Sequence, residues 1–217
     1  MIQGFANLYI DDVMSNLGSM LDYAVCRCGE SLTPFYKRFL ASGISREMDL
    51  GNPKYLCGMS GCELAMTIAA RTGAPLRKEK PDINIGSPEY WTGWTLGYLR
   101  WTLNVDFATL QNRGLPIENL YMRYSVLHEA ELSKSLAFAQ HALEEYAAAD
   151  NPLRRARINA GLTQRELAYL SNTTIRQIRA YEQGQVSLLN AGVGTALNIS
   201  RVLGCSLQDI LPVESAD

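Results

Sequence analysis

The stretch Gly161-Leu162-Thr163-Gln164-Arg165-Glu166-Leu167-Ala168-Tyr169-Leu170-Ser171-Asn172-Thr173-Thr174-Ile175-Arg176-Gln177-Ile178-Arg179-Ala180-Tyr181-Glu182-Gln183-Gly184 decides the fold. Gly161 closes a preceding helix, and the Thr163 hydroxyl is placed to cap a new one that runs to about Leu170. Ser171-Asn172 makes a turn. Thr174 then caps a helix over 175–182, ended by Gly184. Leu162, Leu167, Ala168, Leu170, Ile178 and Tyr181 recur at helical spacing and form the predicted shared core, with small Ala168 where two helices cross closely.

Two short helices joined by a tight turn make a helix-turn-helix pattern. Upstream, 152–160 reads as a basic helix that Gly161 ends. Downstream, a helix over about 190–203 and a short one over 206–211 complete a set of five, with Leu197, Ile199, Val202 and Leu203 facing the core. Asp150-Asn151-Pro152 marks the upstream edge of this segment, because Pro favours a first helical position and disfavours helix in the residue before it. Charge changes across the same point. Residues 1–150 hold 13 Lys+Arg and 17 Asp+Glu, a net of −4, and residues 151–217 hold 7 and 5, a net of +2. Within 151–190 there are six Arg and two Glu. A basic segment joined to an acidic one predicts that the C-terminal part meets a polyanion.

Residues 1–150 read as helical nearly throughout, so the expected class is all-α, with a helical domain over 1–150 and a second domain over 151–217. Ile10, Val13, Met14, Leu17, Leu21, Ala24 and Val25 mark one helix face, closed by Gly29. Ser60-Gly61-Cys62-Glu63 fits a capping box, and Gly73 ends the helix that follows. Ser87-Pro88-Glu89 opens another helix, along which Trp91, Trp94, Tyr98 and Trp101 form an aromatic stripe. Such a stripe belongs to a core or to a surface for a second subunit or another protein. Asp106 caps a short helix to about Asn112, and a long helix is predicted from about His128 to Ala148.

Several function classes find no support. No apolar run approaches the roughly 20 residues of a membrane span. The opening Met1-Ile2-Gln3-Gly4-Phe5 lacks the basic start and apolar segment of a secretion signal, so a cytoplasmic location is expected. Cys26, Cys28, Cys57, Cys62 and Cys205 are odd in number and fit a zinc spacing poorly; buried, reduced thiols are the prediction. His128 and His141 stand in no metal-ligand pattern. There is no GxSxG, Walker loop, dinucleotide fingerprint or acid/base pair, so neither an enzyme nor a cofactor is expected.

The runs Leu153-Arg154-Arg155-Ala156-Arg157, Gly161 to Ala168, Ile178-Arg179-Ala180-Tyr181-Glu182-Gln183-Gly184 and Leu203-Gly204-Cys205-Ser206-Leu207 resemble the Xre/Cro-repressor-like DNA-binding family. The resemblance covers about the last 65 residues and implies a five-helix, lambda-repressor-like domain that lays its third helix in the major groove of double-stranded DNA. It implies that Thr174, Ile175, Arg176, Gln177 and Arg179 form the base-reading face, with Arg176 the leading reader of guanine. Thr163 and Gln164 match the phosphate anchor, Arg154 and Arg155 lie near the backbone, and Arg157 and Glu182 match a structural ion pair. Without that pattern, a solvated helical surface is the better explanation of six arginines. Arg165, beside Glu166, reads as an exposed salt-bridge partner. The loop over 185–191 is longer than usual, and Gly192 and Gly194 weaken the helix start after it. Asn172 stands where a turn glycine is common and tolerates the left-handed backbone next best.

These readings point to a sequence-specific transcriptional regulator, a repressor acting as a homodimer in a bacterial or phage nucleoid setting, with the N-terminal domain serving dimerisation, sensing or partner binding. Gly51-Asn52-Pro53-Lys54-Tyr55 and Ser87-Pro88-Glu89-Tyr90-Trp91 are similar to helical modules of antitoxin-like proteins with Xre-type heads. That likeness implies the alternative: a toxin partner neutralised by the N-terminal domain, with the C-terminal domain controlling the operon.

Overall fold

A computed structural model describes residues 9–211. The opening Met1-Ile2-Gln3-Gly4-Phe5 lies outside the described residues. Among the described residues every regular element is helical. The chain divides into two compact units: one takes the residues up to Gln111 with Ile117–Gln140, and the other takes Asn112–Pro116 with the residues from His141 onward. The later crossing falls at 140/141, within a helix, ahead of the Asp150-Asn151-Pro152 edge, and the short segment Asn112–Pro116 joins the C-terminal unit.

The first unit is built on α1 (Ile10–Asp22), which continues as one π-helical turn over Tyr23–Arg27. There follow α2 (Leu32–Ala41), α3 (Ile44–Asp49), α4 (Pro53–Leu56), α5 (Gly61–Arg71), α6 (Pro88–Leu103), α7 (Phe107–Asn112), α8 (Ile117–Met122), α9 (Tyr124–Leu127) and the start of α10 (Leu132–Ala147), whose part from His141 onward belongs to the second unit. Local sequence explains most of these starts. Ser60 and Glu63 close a capping box on α5, Ser87 accepts from the Tyr90 N–H with Pro88 in the first turn of α6, and Asp106 Oδ1 accepts from Thr109 N at 2.8 Å ahead of α7.

Glycines decide how α1 meets α6. A Cβ at Gly93 would lie 2.2 Å from the Leu17 carbonyl oxygen, one at Gly18 2.9 Å from the Tyr90 carbonyl oxygen, and one at Gly97 3.1 Å from Met14 Cα. The pairs 18/90, 17/93 and 14/97 run in opposite directions, so the two helices pack antiparallel with their backbones in close contact. Thus Gly93, Gly97 and Leu96 hold the inner line of α6. The aromatic stripe lies beside it, with Trp91 buried and Trp94, Tyr98 and Trp101 half-buried.

Two elements differ from expectation. The long helix begins at Leu132, four residues after His128; the chain before it forms α8 and the single turn α9. His128 stacks on Tyr124 with ring centroids 4.4 Å apart, and its Nδ1 lies 2.8 Å from the Tyr124 carbonyl. No Gly or Pro marks this break in the sequence. The cysteines differ too: Cys26 and Cys57 are exposed and Cys28, Cys62 and Cys205 half-buried, all with free thiols. Cys26 donates to Glu89 Oε2 at 3.3 Å, and partial desolvation of its otherwise exposed thiol together with that carboxylate pushes its pKa up to about 12.

The C-terminal unit contains α11 (Pro152–Asn159), α12 (Gln164–Leu170), α13 (Ile175–Glu182), a 3₁₀ turn at Leu188–Asn190, α14 (Val193–Leu203) and α15 (Leu207–Ile210). Asn151 caps α11 through Oδ1 and donates from Nδ2 to the Tyr181 carbonyl at 2.9 Å, linking the first of these helices to the third. Asn159 Oδ1 accepts from Gly114 N at 2.7 Å while its Nδ2 donates to the Asn112 carbonyl at 3.0 Å, which ties the Asn112–Pro116 segment to α11. Leu153, Leu167, Ala168, Ile178, Tyr181, Leu188, Ile199 and Ile210 form the core. Leu170, expected inside, is 54% exposed; Leu167 and Ala168 are the residues α12 buries. Leu197 is half-buried, and Ala196 and Ser200 take the inward positions with Ile199.

Candidate nucleic-acid interface

The turn between α12 and α13 positions the site. Ser171 is buried, with its hydroxyl bonded to the Leu167 carbonyl at 2.6 Å and to Thr173 Oγ1 at 2.8 Å. Asn172 follows at φ 54°, the left-handed conformation that lets the chain reverse within four residues. Both helices then start with reciprocal caps. Thr163 accepts from Glu166 N while Glu166 Oε2 accepts from Thr163 N at 2.7 Å; Thr174 accepts from Gln177 N while Gln177 Oε1 accepts from Thr174 N at 3.0 Å. These bonds hold the Glu166 carboxyl below its usual range. Glu166 is therefore committed to the cap. Arg165 makes no ion pair among the described residues, contrary to the salt bridge expected with its neighbour.

Ile178, Tyr181 and Glu182 are the buried positions of α13, and Arg176, Gln177 and Arg179 are exposed. Arg176 has no hydrogen-bond or ion-pair partner among the described residues, so its guanidinium keeps all its donors for an outside acceptor. Gln177 Nε2 has no hydrogen-bond partner among the described residues, while its carbonyl oxygen serves the cap. Ile175 is half-buried and packs on the core, which leaves part of its side chain at the surface.

Behind this face lies a polar network. Arg157 Nε donates to Glu182 Oε1 at 2.5 Å, Nη2 to Oε2 at 3.0 Å, and Nη1 to the Leu162 carbonyl at 2.8 Å. The pair is nearly buried, with side chains 9% and 2% exposed, so the fork-to-fork bonds offset the cost of removing both charges from water. Glu182 Oε2 also accepts from Gln164 Nε2 at 2.8 Å, and Gln164 Oε1 accepts from Arg179 Nε at 3.4 Å. Gln164 thus bridges the buried pair to an exposed arginine. Sequence reasoning placed it on a phosphate and missed this role, because nothing in the spacing marks an amide 18 residues away as a partner of Glu182.

A cleft of 530 Å³ opens over the network, flanked by Arg154, Arg165 and Arg179 and floored by Arg157 and Glu182. Arg155 stands outside the cleft lining and donates from Nε to the Ala149 carbonyl at 2.6 Å. Glu145, from the last turn of α10, also lines the cleft and was not singled out in the sequence. Elsewhere, no group of three or more His, Cys, Asp or Glu among the described residues is placed to hold a metal ion, and no described helix is long and apolar enough to cross a membrane.

Five short helices, a capped turn and an exposed basic face on the third helix define a DNA-binding helix-turn-helix domain. Residues 153–210 match the Helix-turn-helix family model. No curated protein and no solved structure matches the chain.

Proposed function

We propose that the protein is a sequence-specific transcriptional repressor that reads the major groove with α13 and acts as a homodimer. The observation that carries this reading is the outward face of α13: Arg176 stands exposed without a partner among the described residues, on a helix anchored from behind by the buried Arg157–Glu182 pair. Arg176 then donates two hydrogen bonds to guanine O6 and N7, the NH₂ of Gln177 and the open part of Ile175 meet neighbouring bases, and Arg179 and Thr174 complete the reading face. Arg154, Arg155, Thr163 and Gln164 take backbone phosphates, with Gln164 exchanging its bond to Arg179 for one to a phosphate oxygen.

The homodimer reading draws support from the segment after α13. Residues 183–200 contain no charged side chain, and within them Val186, Leu189 and Val193 are 45%, 49% and 73% exposed. Two basic heads repel one another, and a charge-free apolar strip is where a pair of them meets at least electrostatic cost. Pairing there leaves α13 free and adds a second half-site, which a head reading only a few base pairs needs.

For the antitoxin alternative, the two N-terminal stretches that resemble such modules have structural work of their own. Asn52 caps Lys54 N and Tyr55 is buried; Ser87 caps α6 and donates to the buried Asp22 carboxylate at 2.6 Å.

The test is selection of bound duplexes from a randomised pool by the intact protein. Recovery of a two-fold symmetric motif with guanine at a fixed position in each half is expected. An unenriched pool would overturn the sequence-specific reading.

A further inference from the structure

The last turn of α10 carries Glu144 and Glu145 and no basic residue, so two carboxylates sit at the negative end of the helix dipole, a position that opposes helix stability. Glu145 lines the arginine-flanked cleft. The other carboxylate of that lining, Glu182, is neutralised by Arg157 at 2.5 Å, and neighbouring Glu166 is held in its cap. Glu145 has only His141, at 3.9 Å and 77% exposed, as an ion-pair partner among the described residues. Such a contact is worth little in water. One carboxylate that no arginine pairs with among the described residues therefore lines the space where Arg154, Arg165 and Arg179 would receive a phosphate.

We infer that Glu145 is an electrostatic brake on backbone binding: it offsets part of the positive charge that draws duplex phosphates to the cleft and thereby lowers sequence-independent affinity, leaving base contacts to decide where the protein stays. The inference rests on the DNA-binding reading above. An offset of this kind acts on every sequence alike, and it fades as salt shortens the range of the field.

The experiment compares intact wild-type protein with Glu145→Gln and Glu144→Gln on a mixed-sequence duplex of about 30 base pairs, titrated by fluorescence anisotropy across a salt series. Glu144 is exposed on the same turn and lies outside the cleft lining, so its variant removes the same net charge from a different place. Glu145→Gln is expected to bind about three- to tenfold tighter at low salt, with the gain vanishing near about 0.5 M salt, and Glu144→Gln is expected to change affinity by less than about twofold. Equal gains in the two variants would reduce the effect to net charge and overturn the brake, as would unchanged or weaker binding by Glu145→Gln. A wild-type protein that binds the duplex while Glu145→Gln matches it defeats the brake alone. Failure of all three proteins to bind at low salt defeats the DNA-binding reading with it.

Discussion

Arg157 and Glu182 show what single residues contribute here. Their contact joins α11 to the end of α13 and so fixes the angle at which the basic face is presented. Arg157→Met leaves the Glu182 carboxylate in a nearly closed site with only the Gln164 amide to offset its charge, and a loss of about 3–5 kcal/mol is expected. Amide hydrogen exchange across residues 152–182 reads that loss locally. The double variant Arg157→Met/Glu182→Leu removes the stranded charge and should recover a large part of the protection. A double variant as destabilised as the single one would show that packing, and not charge compensation, is what the pair supplies. The arginine and the glutamate are individually legible in the sequence. The amide of Gln164, which completes the network, is not, since its partner is set by how two helices cross.

Among the elements, what the sequence reveals is mostly punctuation. Thr163, Thr174, Ser60 and Ser87 mark helix starts, and Gly73, Gly161 and Gly184 mark helix ends, because capping and left-handed termination depend on a few adjacent atoms. Side-chain direction between elements was harder to read. Leu170 fits the apolar spacing of α12 yet points outward, and the aromatic stripe of α6 yields the inner line to Gly93 and Gly97. A glycine stripe carries no hydrophobic signal; its meaning depends on the helix it meets. Gly93→Ala puts a methyl group against the Leu17 backbone, which cannot give way as a side chain can, and should destabilise the first unit by about 1–3 kcal/mol or more. Gly97→Ala meets its nearest atom at 3.1 Å and should cost less. Tryptophan fluorescence during urea unfolding reports this unit, since Trp91, Trp94 and Trp101 all lie on α6. The reverse order of the two variants would contradict the packing described.

For the whole molecule, net charge conceals an acidic stretch and a basic one, and the charge-free strip over 183–200 interrupts the basic part. If that strip is the pairing surface, light scattering on intact protein gives a mass twice that of the 24.1 kDa chain, and Val193→Asp lowers it to one chain with helical content unchanged. Wild-type protein that stays at one chain both alone and with DNA, or a Val193→Asp variant that remains paired, would contradict this placement. The strip was legible as a long loop with weak helix-starting glycines. Its exposure required the fold, because Leu188, in the same run, is buried while its neighbour Leu189 is not.

The central claim is that α13 reads bases while the residues behind it hold the backbone. Its most direct measurement sets Arg176→Ala beside Arg154→Ala on the enriched motif and on a version with the guanine position scrambled. Arg176→Ala should lose about 1–3 kcal/mol of discrimination between the two duplexes, and Arg154→Ala should weaken both alike and lower the salt dependence by about one counterion. Equal, sequence-blind losses in the two variants would contradict the account.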